Sequence, residues 1–234
     1  MSKQPTTSPI HYLSIDESEP REIAGDIVEE GLVCISVNGK ELATFMSTPA
    51  DLDKLALGFL YNEGIIHGLD DVRQIHVSKA TTCVDVWLHD MDFERPSRAI
   101  ITSGCGGGVT FDDLSAKHEP LNSDLSAEPA QLANLMKQMI QGASSYKKAL
   151  GIHTAALAEG DQLLLQVEDV GRHNCLDKLS GAALQAGIST TDRILLSSGR
   201  ISSEMINKAR RLQTPLVCSR TSPTSLSVAL AEAW

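Results

Sequence analysis

Apolar and polar positions first alternate at residues 32–37, where Val33, Ile35 and Val37 are separated by Cys34 and Ser36. A period of two is that of a strand with one buried face. Asn38-Gly39 follows, then a second such run over 40–46. Asn-Gly between two strand-like runs predicts a hairpin, because both residues tolerate the positive φ of a tight turn. The period then changes: Leu52, Leu55, Ala56, Phe59 and Leu60 share one helical face. Thr48-Pro49-Ala50-Asp51 ahead of them predicts a capped start, with Thr48 as cap, Pro49 in first position and Asp51 bonding back. Gly64 predicts the end of that helix. Further strands are expected at 72–77, 81–88 and 99–103, the last running into Gly104-Cys105-Gly106-Gly107-Gly108.

Residues 111–128 are polar and irregular and read as a linker. Beyond them a helix is predicted over 129–150, with Leu132, Leu135, Met136, Met139 and Ile140 on its face. Strands at 152–157 and 162–167 flank the turn Glu159-Gly160-Asp161. A helix over 172–186 ending at Gly187, a strand at 193–196, a helix at 202–212, a strand at 216–218 and a helix at 224–233 complete the chain. The order α-β-β-α-β-α-β suggests a three-layer α/β/α sandwich. The expected organisation is a tail at 1–20 that is flexible, a small N-terminal α+β domain at 21–115 ending in the cysteine loop, and the α/β/α domain at 116–234.

Aromatic residues are only 4% of the chain, so Leu, Ile, Val and Ala must build the core. The net charge of −10 repels a phosphate backbone and argues against nucleic-acid binding. It does not prevent a local basic pocket, which Arg172, Lys178, Arg193, Arg200, Lys208, Arg210 and Arg211 can supply. The five cysteines are odd in number, widely spaced and without C-x-x-C pairs, which argues against a disulfide framework and a structural zinc site. No apolar signal region or membrane-length apolar stretch is seen, and a reducing cytoplasm is the simplest expectation.

Cys105 stands among four glycines, which predicts an exposed thiol able to act as a nucleophile. The bland alternative is an inert cysteine in a strand-ending turn. A phosphate loop is disfavoured, since the Lys-Ser/Thr that completes one is missing. Cys34, Cys83 and Cys218 lie in or near strands and read as packing residues. Cys175 falls in the first turn of a predicted helix, and is the second choice for a reactive thiol. Four polar stretches lie at strand ends: His153-Thr154, Glu168-Asp169-Val170-Gly171-Arg172-His173-Asn174, Ser198-Gly199-Arg200-Ile201-Ser202-Ser203-Glu204, and Ser219 through Thr224. Strand ends that feed helix N-termini favour anions, so one groove for a phosphorylated ligand is expected. In it Arg172, His173 and Arg200 meet phosphate, Asp169 or Asp177 accepts from a base or sugar, and His153, Gly171, Asn174, Ser198, Gly199, Ser202 and Thr224 line the mouth. Ordinary helix capping explains each residue singly, but less well the whole run.

These stretches, with Val37-Asn38-Gly39, Thr48-Pro49-Ala50-Asp51-Leu52, Gly58-Phe59-Leu60-Tyr61-Asn62-Glu63-Gly64, Thr102-Ser103-Gly104-Cys105-Gly106 and Ser222-Pro223-Thr224-Ser225-Leu226, resemble the FdhD/NarQ family of formate dehydrogenase accessory sulfurtransferases. The resemblance implies a sulfur carrier. Cys105 would accept persulfide sulfur from a cysteine desulfurase and deliver it to the molybdenum of the bis-molybdopterin guanine dinucleotide cofactor, for formate dehydrogenase. It further implies a cytidine-deaminase-like second domain that binds the guanine ends of that cofactor, and a homodimer. The H-x-E and P-C-x-x-C zinc signature of true deaminases is absent. Two departures stand out: Gly108 occupies the place of a second loop cysteine in many relatives, and relatives usually continue with another strand past Trp234.

Overall fold

The computed structural model describes residues 5–15, 19–80, 82–96, 100–101, 109–111 and 118–234; the Cys105 loop lies outside the described residues. The alternating run predicted at 32–37 is strand β3 in a set that opens with β1 (Thr7–Ser14), β2 (Arg21–Val28), β3 (Gly31–Val37) and β4 (Lys40–Ser47). Residues 7–14, expected in a flexible tail, instead pair antiparallel with β2 from Thr7↔Val28 to Ser14↔Arg21. The partner strand lies outside the tail segment, so the tail's own residues do not reveal the pairing.

The Asn38-Gly39 turn forms as predicted, with φ of 49° and 79°. β5 (Val72–Val77) and β6 (Cys83–Leu88) complete a sheet of order β4-β3-β6-β5, in which β3 and β6 run parallel. Val33, Ile35, Val37, Val84 and Val86 bury one face of it against Leu55, Phe59 and Leu60 of helix α1 (Leu52–Asn62). The start of α1 departs from the predicted cap: Asp51 takes the cap position at φ 54° without a side-chain cap bond. Thr48 is fully buried, and its hydroxyl accepts the Val170 amide at 3.1 Å. Gly64, at φ 69°, follows the end of the helix.

Register also corrects the cysteine reading. Cys34 lies directly opposite Cys83 on the parallel pair β3–β6, and the two form a disulfide across a sequence separation of 49. Spacing alone does not show a pairing that depends on sheet register.

The second half opens with α2 (Pro129–Gly142) and α3 (Ser144–Ala149), where one continuous helix is predicted. The break has a visible cause: the Glu168 carboxylate accepts the Ser145 and Tyr146 amides at 3.0 and 2.9 Å, capping a new helix. Then come β9 (His153–Glu159), β10 (Gln162–Asp169), α4 (Arg172–Ala186), β11 (Ile194–Ser197), α5 (Ser203–Arg211), β12 (Leu216–Ser219) and α6 (Ser225–Ala233). Their sheet has the order β10-β9-β11-β12, with β11 and β12 parallel. Alternation along β9 divides its neighbours. Ala155 and Leu157 pack with Leu176, Leu179 and Met205 of α4 and α5, while Ala156 and Ala158 pack with Leu135 and Met139 of α2. Three layers result, in the expected order α/β/α.

The two halves meet where α1 crosses α4. A Cβ on Gly58 would lie 1.7 Å from the Asp177 carbonyl oxygen, and one on Gly181 2.0 Å from that of Lys54. Only glycine permits so close an approach of two backbones. Buried from Arg172 through Ala183, α4 is covered all round, although its sequence is polar. Those buried polar groups assemble the candidate site.

Candidate ligand cleft at the strand ends

The strand β10 ends at Asp169, and α4 starts three residues later. Asp169 is wholly buried. Its Oδ2 accepts from the Ser47 hydroxyl at 2.7 Å and the Thr48 amide at 3.1 Å, and pairs with Lys178 at 2.5 Å. Its Oδ1 accepts from the Gly171 amide at 2.8 Å and from Asn174 at 2.9 Å. Asn174 also donates to the Met46 carbonyl at 2.8 Å, and Lys178 to that of Thr48 at 3.1 Å. A carboxylate with five partners inside the chain has its acceptor sites filled. Asp169 and Asn174, expected to meet a ligand, fasten the first half of the chain to the second and fix where α4 begins.

The remaining stretches do converge. His153, at the start of β9, places Nδ1 3.3 Å from the Ser198 hydroxyl, which accepts the Thr154 amide at 2.9 Å. A Cβ on Gly199 would stand 2.8 Å from Cβ of Arg172 and 3.3 Å from His153 Nδ1, so the β11–α5 loop lies against both. His173 Nε2 is 3.1 Å from the Ser202 hydroxyl, the cap of α5. Ser219, at the end of β12, donates to the Gly199 carbonyl at 2.7 Å. The Thr224 amide donates to the Ile201 carbonyl at 3.0 Å, while the Thr224 hydroxyl is used in a capping box for α6. His153, Arg172, His173, Ser198, Gly199 and Ser202 thus form one cluster, with Arg200 exposed at its rim. Helices α4 and α5 begin there, a placement that favours an anion.

Behind the cluster lies a charge network that sequence reasoning largely missed. Lys208 Nζ reaches both Asp177 oxygens at 2.7 Å and Glu204 Oε1 at 3.6 Å. Asn62 donates to Asp177 at 2.7 Å, so α1 takes part. Burial opposes charge on Lys208, but Asp177, Glu204 and Glu63 together hold its ammonium well above the usual range. Burial pushes the Asp177 and Glu63 carboxyls up. A signal was present: His173 and Asp177, and Glu204 and Lys208, stand four apart on helices that are otherwise buried. Asp177, offered as a nucleotide contact, is engaged by Lys208 and Asn62 instead.

Glu63 touches the region that frames Cys105. The strands that flank that residue in sequence, β7 (Ile100–Ile101) and β8 (Val109–Thr110), pair with each other. Glu63 Oε2 accepts the Thr110 hydroxyl at 2.9 Å and the Phe111 amide at 2.7 Å. The chain leaving the cysteine segment is therefore anchored to the end of α1, beside Lys208.

Histidine electrostatics follow from burial. His153 is lowered by burial and by Arg172, against the pull of Asp169. His173 falls to about 4, through burial, with Glu204 opposing and Lys208, Arg172 and His153 lowering it further. Cys175 is buried and raised well above the ordinary thiol range by burial and by Asp169, so its thiol is poorly suited to nucleophilic work. Cys218 is half-buried and also raised by burial. Among the described residues no cluster of three or more His, Cys, Asp or Glu suits a metal ion, and no helix is long and apolar enough to cross a membrane.

Comparison with known proteins agrees with this architecture. The model of the FdhD/NarQ family matches residues 28–234. The chain belongs to the FdhD/NarQ family. The sulfur carrier protein FdhD of Bacillus subtilis is 33% identical over 223 residues, covering 93% of this chain and 85% of that protein. The sulfur carrier protein FdhD of Staphylococcus aureus is 34% identical over 209 residues, covering 87% of this chain and 79% of its own length. A solved structure from Desulfotalea psychrophila, assigned as a formate dehydrogenase accessory protein, superposes with a TM-score of 0.82 at 25% identity, covering 98% of this chain and 90% of the other. This FdhD/NarQ member therefore joins two four-stranded sheets through the crossing of α1 and α4, with a polar cluster at the strand ends of the second.

Proposed function

We propose that this FdhD/NarQ protein is a sulfur carrier that takes persulfide sulfur from a cysteine desulfurase onto Cys105. It delivers that sulfur to the molybdenum of the bis-molybdopterin guanine dinucleotide cofactor destined for formate dehydrogenase. The convergence of His153, Arg172, His173, Ser198, Gly199 and Ser202 at two helix N-termini carries the ligand half of this reading. The names of the relatives support the sulfur half.

The cleft suits a nucleoside diphosphate, since guanidinium groups and helix starts recognise phosphate. Arg172 and Arg200 hold the phosphates, the His153 ring lines the wall, and Gly199 allows the loop to approach Arg172. Asp169, Asn174 and Lys178 position the start of α4 rather than touching the ligand. The sheet order β10-β9-β11-β12 with helices on both faces supports a cytidine-deaminase-like reading of the second half. We propose a homodimer in the cytoplasm, with the Cys34–Cys83 bridge an exception to the reduced thiols expected there.

In the chemical step, the Cys105 thiolate attacks the outer sulfur of the donor's persulfide and takes that sulfur, and the donor cysteine leaves as a thiolate. The S–S bond of the Cys105 persulfide then breaks, Cys105 leaves as a thiolate, and the sulfur reaches the cofactor substrate as sulfide with two electrons that the reduced molybdenum of that substrate would supply. One thiol suffices, so Gly108 in place of a second loop cysteine is compatible with the reading. A competing reading is a cofactor-holding chaperone without persulfide chemistry. Activation of formate dehydrogenase by Cys105→Ala separates them: loss of activation with retained guanine-nucleotide binding supports the carrier, and full activation supports the chaperone.

A further inference from the structure

We infer that His173 takes up a proton when an anionic ligand docks at the cleft, and that Glu204 is the counter-charge that holds the resulting imidazolium. The inference rests on the nucleotide-binding reading above, and assigns Glu204 a positioning role that the ligand chemistry alone does not suggest.

Glu204 is 3% exposed, and neither of its carboxylate oxygens makes a hydrogen bond among the described residues. An ionised carboxylate buried without donors is costly, and Asp169, with its five partners, is the contrasting case. The nearest cation does not relieve it. Lys208 sits 2.7 Å from both oxygens of Asp177 but 3.6 Å from Glu204 Oε1. One lysine therefore answers three carboxylates, Asp177, Glu204 and Glu63. The titratable base beside Glu204 is His173, whose Nε2 is 3.5 Å from Oε2. A proton on His173 would balance the Glu204 charge.

The groups that face His173 explain why the balance waits for a ligand. Glu204 of α5 favours the imidazolium, while Lys208 of α5, Arg172 of α4 and His153 of β9 oppose it. The start of α4 carries a partial positive charge that opposes it too. An anion seated between Arg172 and the helix starts cancels those positive contributions and leaves Glu204 untouched. The imidazolium then becomes favourable. The Ser202 hydroxyl, 3.1 Å from Nε2, can donate to the neutral ring or accept from the imidazolium and keeps the ring aimed at α5. Binding should therefore tighten as pH falls, by up to about tenfold per pH unit for one linked proton.

The test is titration calorimetry of the full chain with GDP near pH 6.5, in two buffers of different ionisation enthalpy, alongside guanosine. Uptake of close to one proton with GDP and none with guanosine is expected. E204Q and H173N should both bind GDP more weakly and lose the uptake. The imidazole resonances of the unaltered protein give a second readout that needs no variant: a His173 signal turning charged on GDP addition supports the inference. GDP binding without proton uptake, or uptake that persists in both variants, overturns the linkage alone. No GDP binding by the intact chain overturns the nucleotide reading and the linkage with it.

Discussion

The Asp169 carboxylate accepts the Ser47 hydroxyl at 2.7 Å, joining residues 122 positions apart across the two halves of the chain. With Lys178 at 2.5 Å and both side chains wholly buried, the pair is a structural rivet at the floor of the cleft. Removing one member of such a pair strands a buried charge and costs about 3–5 kcal/mol. Asp169→Ala should lower the denaturation midpoint accordingly. A variant as stable as the unaltered protein would return Asp169 to the role of a ligand contact.

The glycines at the crossing of α1 and α4 make a second prediction. Gly58→Ala and Gly181→Ala force a Cβ to within 1.7 and 2.0 Å of carbonyl oxygens, and should destabilise by at least about 3 kcal/mol or prevent folding. Gly31 meets nothing within 4 Å, and Gly31→Ala should stay within about 0.5 kcal/mol. Comparable thermal melts for all three would contradict the close crossing.

The pH dependence of stability tests the buried histidine. His173 titrates at about 4 when folded, below the ordinary value of 6.5. Between those values the unfolded chain binds the extra proton. The neutral ring's contribution is complete above pH 6.5 and is lost as pH falls toward 4, amounting to about 3 kcal/mol at most. His173→Asn should remove this slope relative to the unaltered protein in urea titrations across that window. Parallel profiles would show that His173 is not depressed.

Thiol counting addresses the bridge. With Cys34 and Cys83 joined, the five cysteines leave three that alkylate in denaturant before reduction, and five afterwards. Cys34→Ser should cost about 4 kcal/mol by the loop-entropy relation for a separation of 49. Five alkylated thiols without reductant would contradict the pairing.

Legibility in the sequence followed the range of the interactions. The helix predicted over 172–186 is α4 to the residue, because its start and its terminal Gly187 are local signals. The Asn38-Gly39 hairpin is equally local. The predicted helix over 129–150 broke because Glu168, from a strand farther along, caps α3. Thr48 reads locally as a helix cap, yet its hydroxyl serves Val170. The polar stretches of the cleft could be picked out singly. Which of them face a ligand, and which, like Asp169 and Asn174, fasten the halves together, depends on contacts more than a hundred residues apart. Lys208, expected in a basic pocket, is instead held by Asp177, and neither that pairing nor the anchoring of Phe111 by Glu63 is local in sequence. Cys105 lies outside the described residues, and its role rests on the motif around it.

Arg172→Ala tests the cleft itself. Loss of a guanidinium from a charge-assisted phosphate contact should weaken GDP binding by about 1.5–3 kcal/mol, or tenfold and more. Gly199→Ala should act in the same direction, since its Cβ would stand 2.8 Å from that of Arg172. Unchanged affinity in both would move the ligand elsewhere.

The most direct measurement is intact-protein mass spectrometry after incubation with a cysteine desulfurase and cysteine, with Cys105→Ala alongside. The account predicts a reducible gain of about one sulfur atom, mapped to Cys105 and absent from the variant. No gain with a competent desulfurase, or a gain located on Cys175 or Cys218, would contradict it.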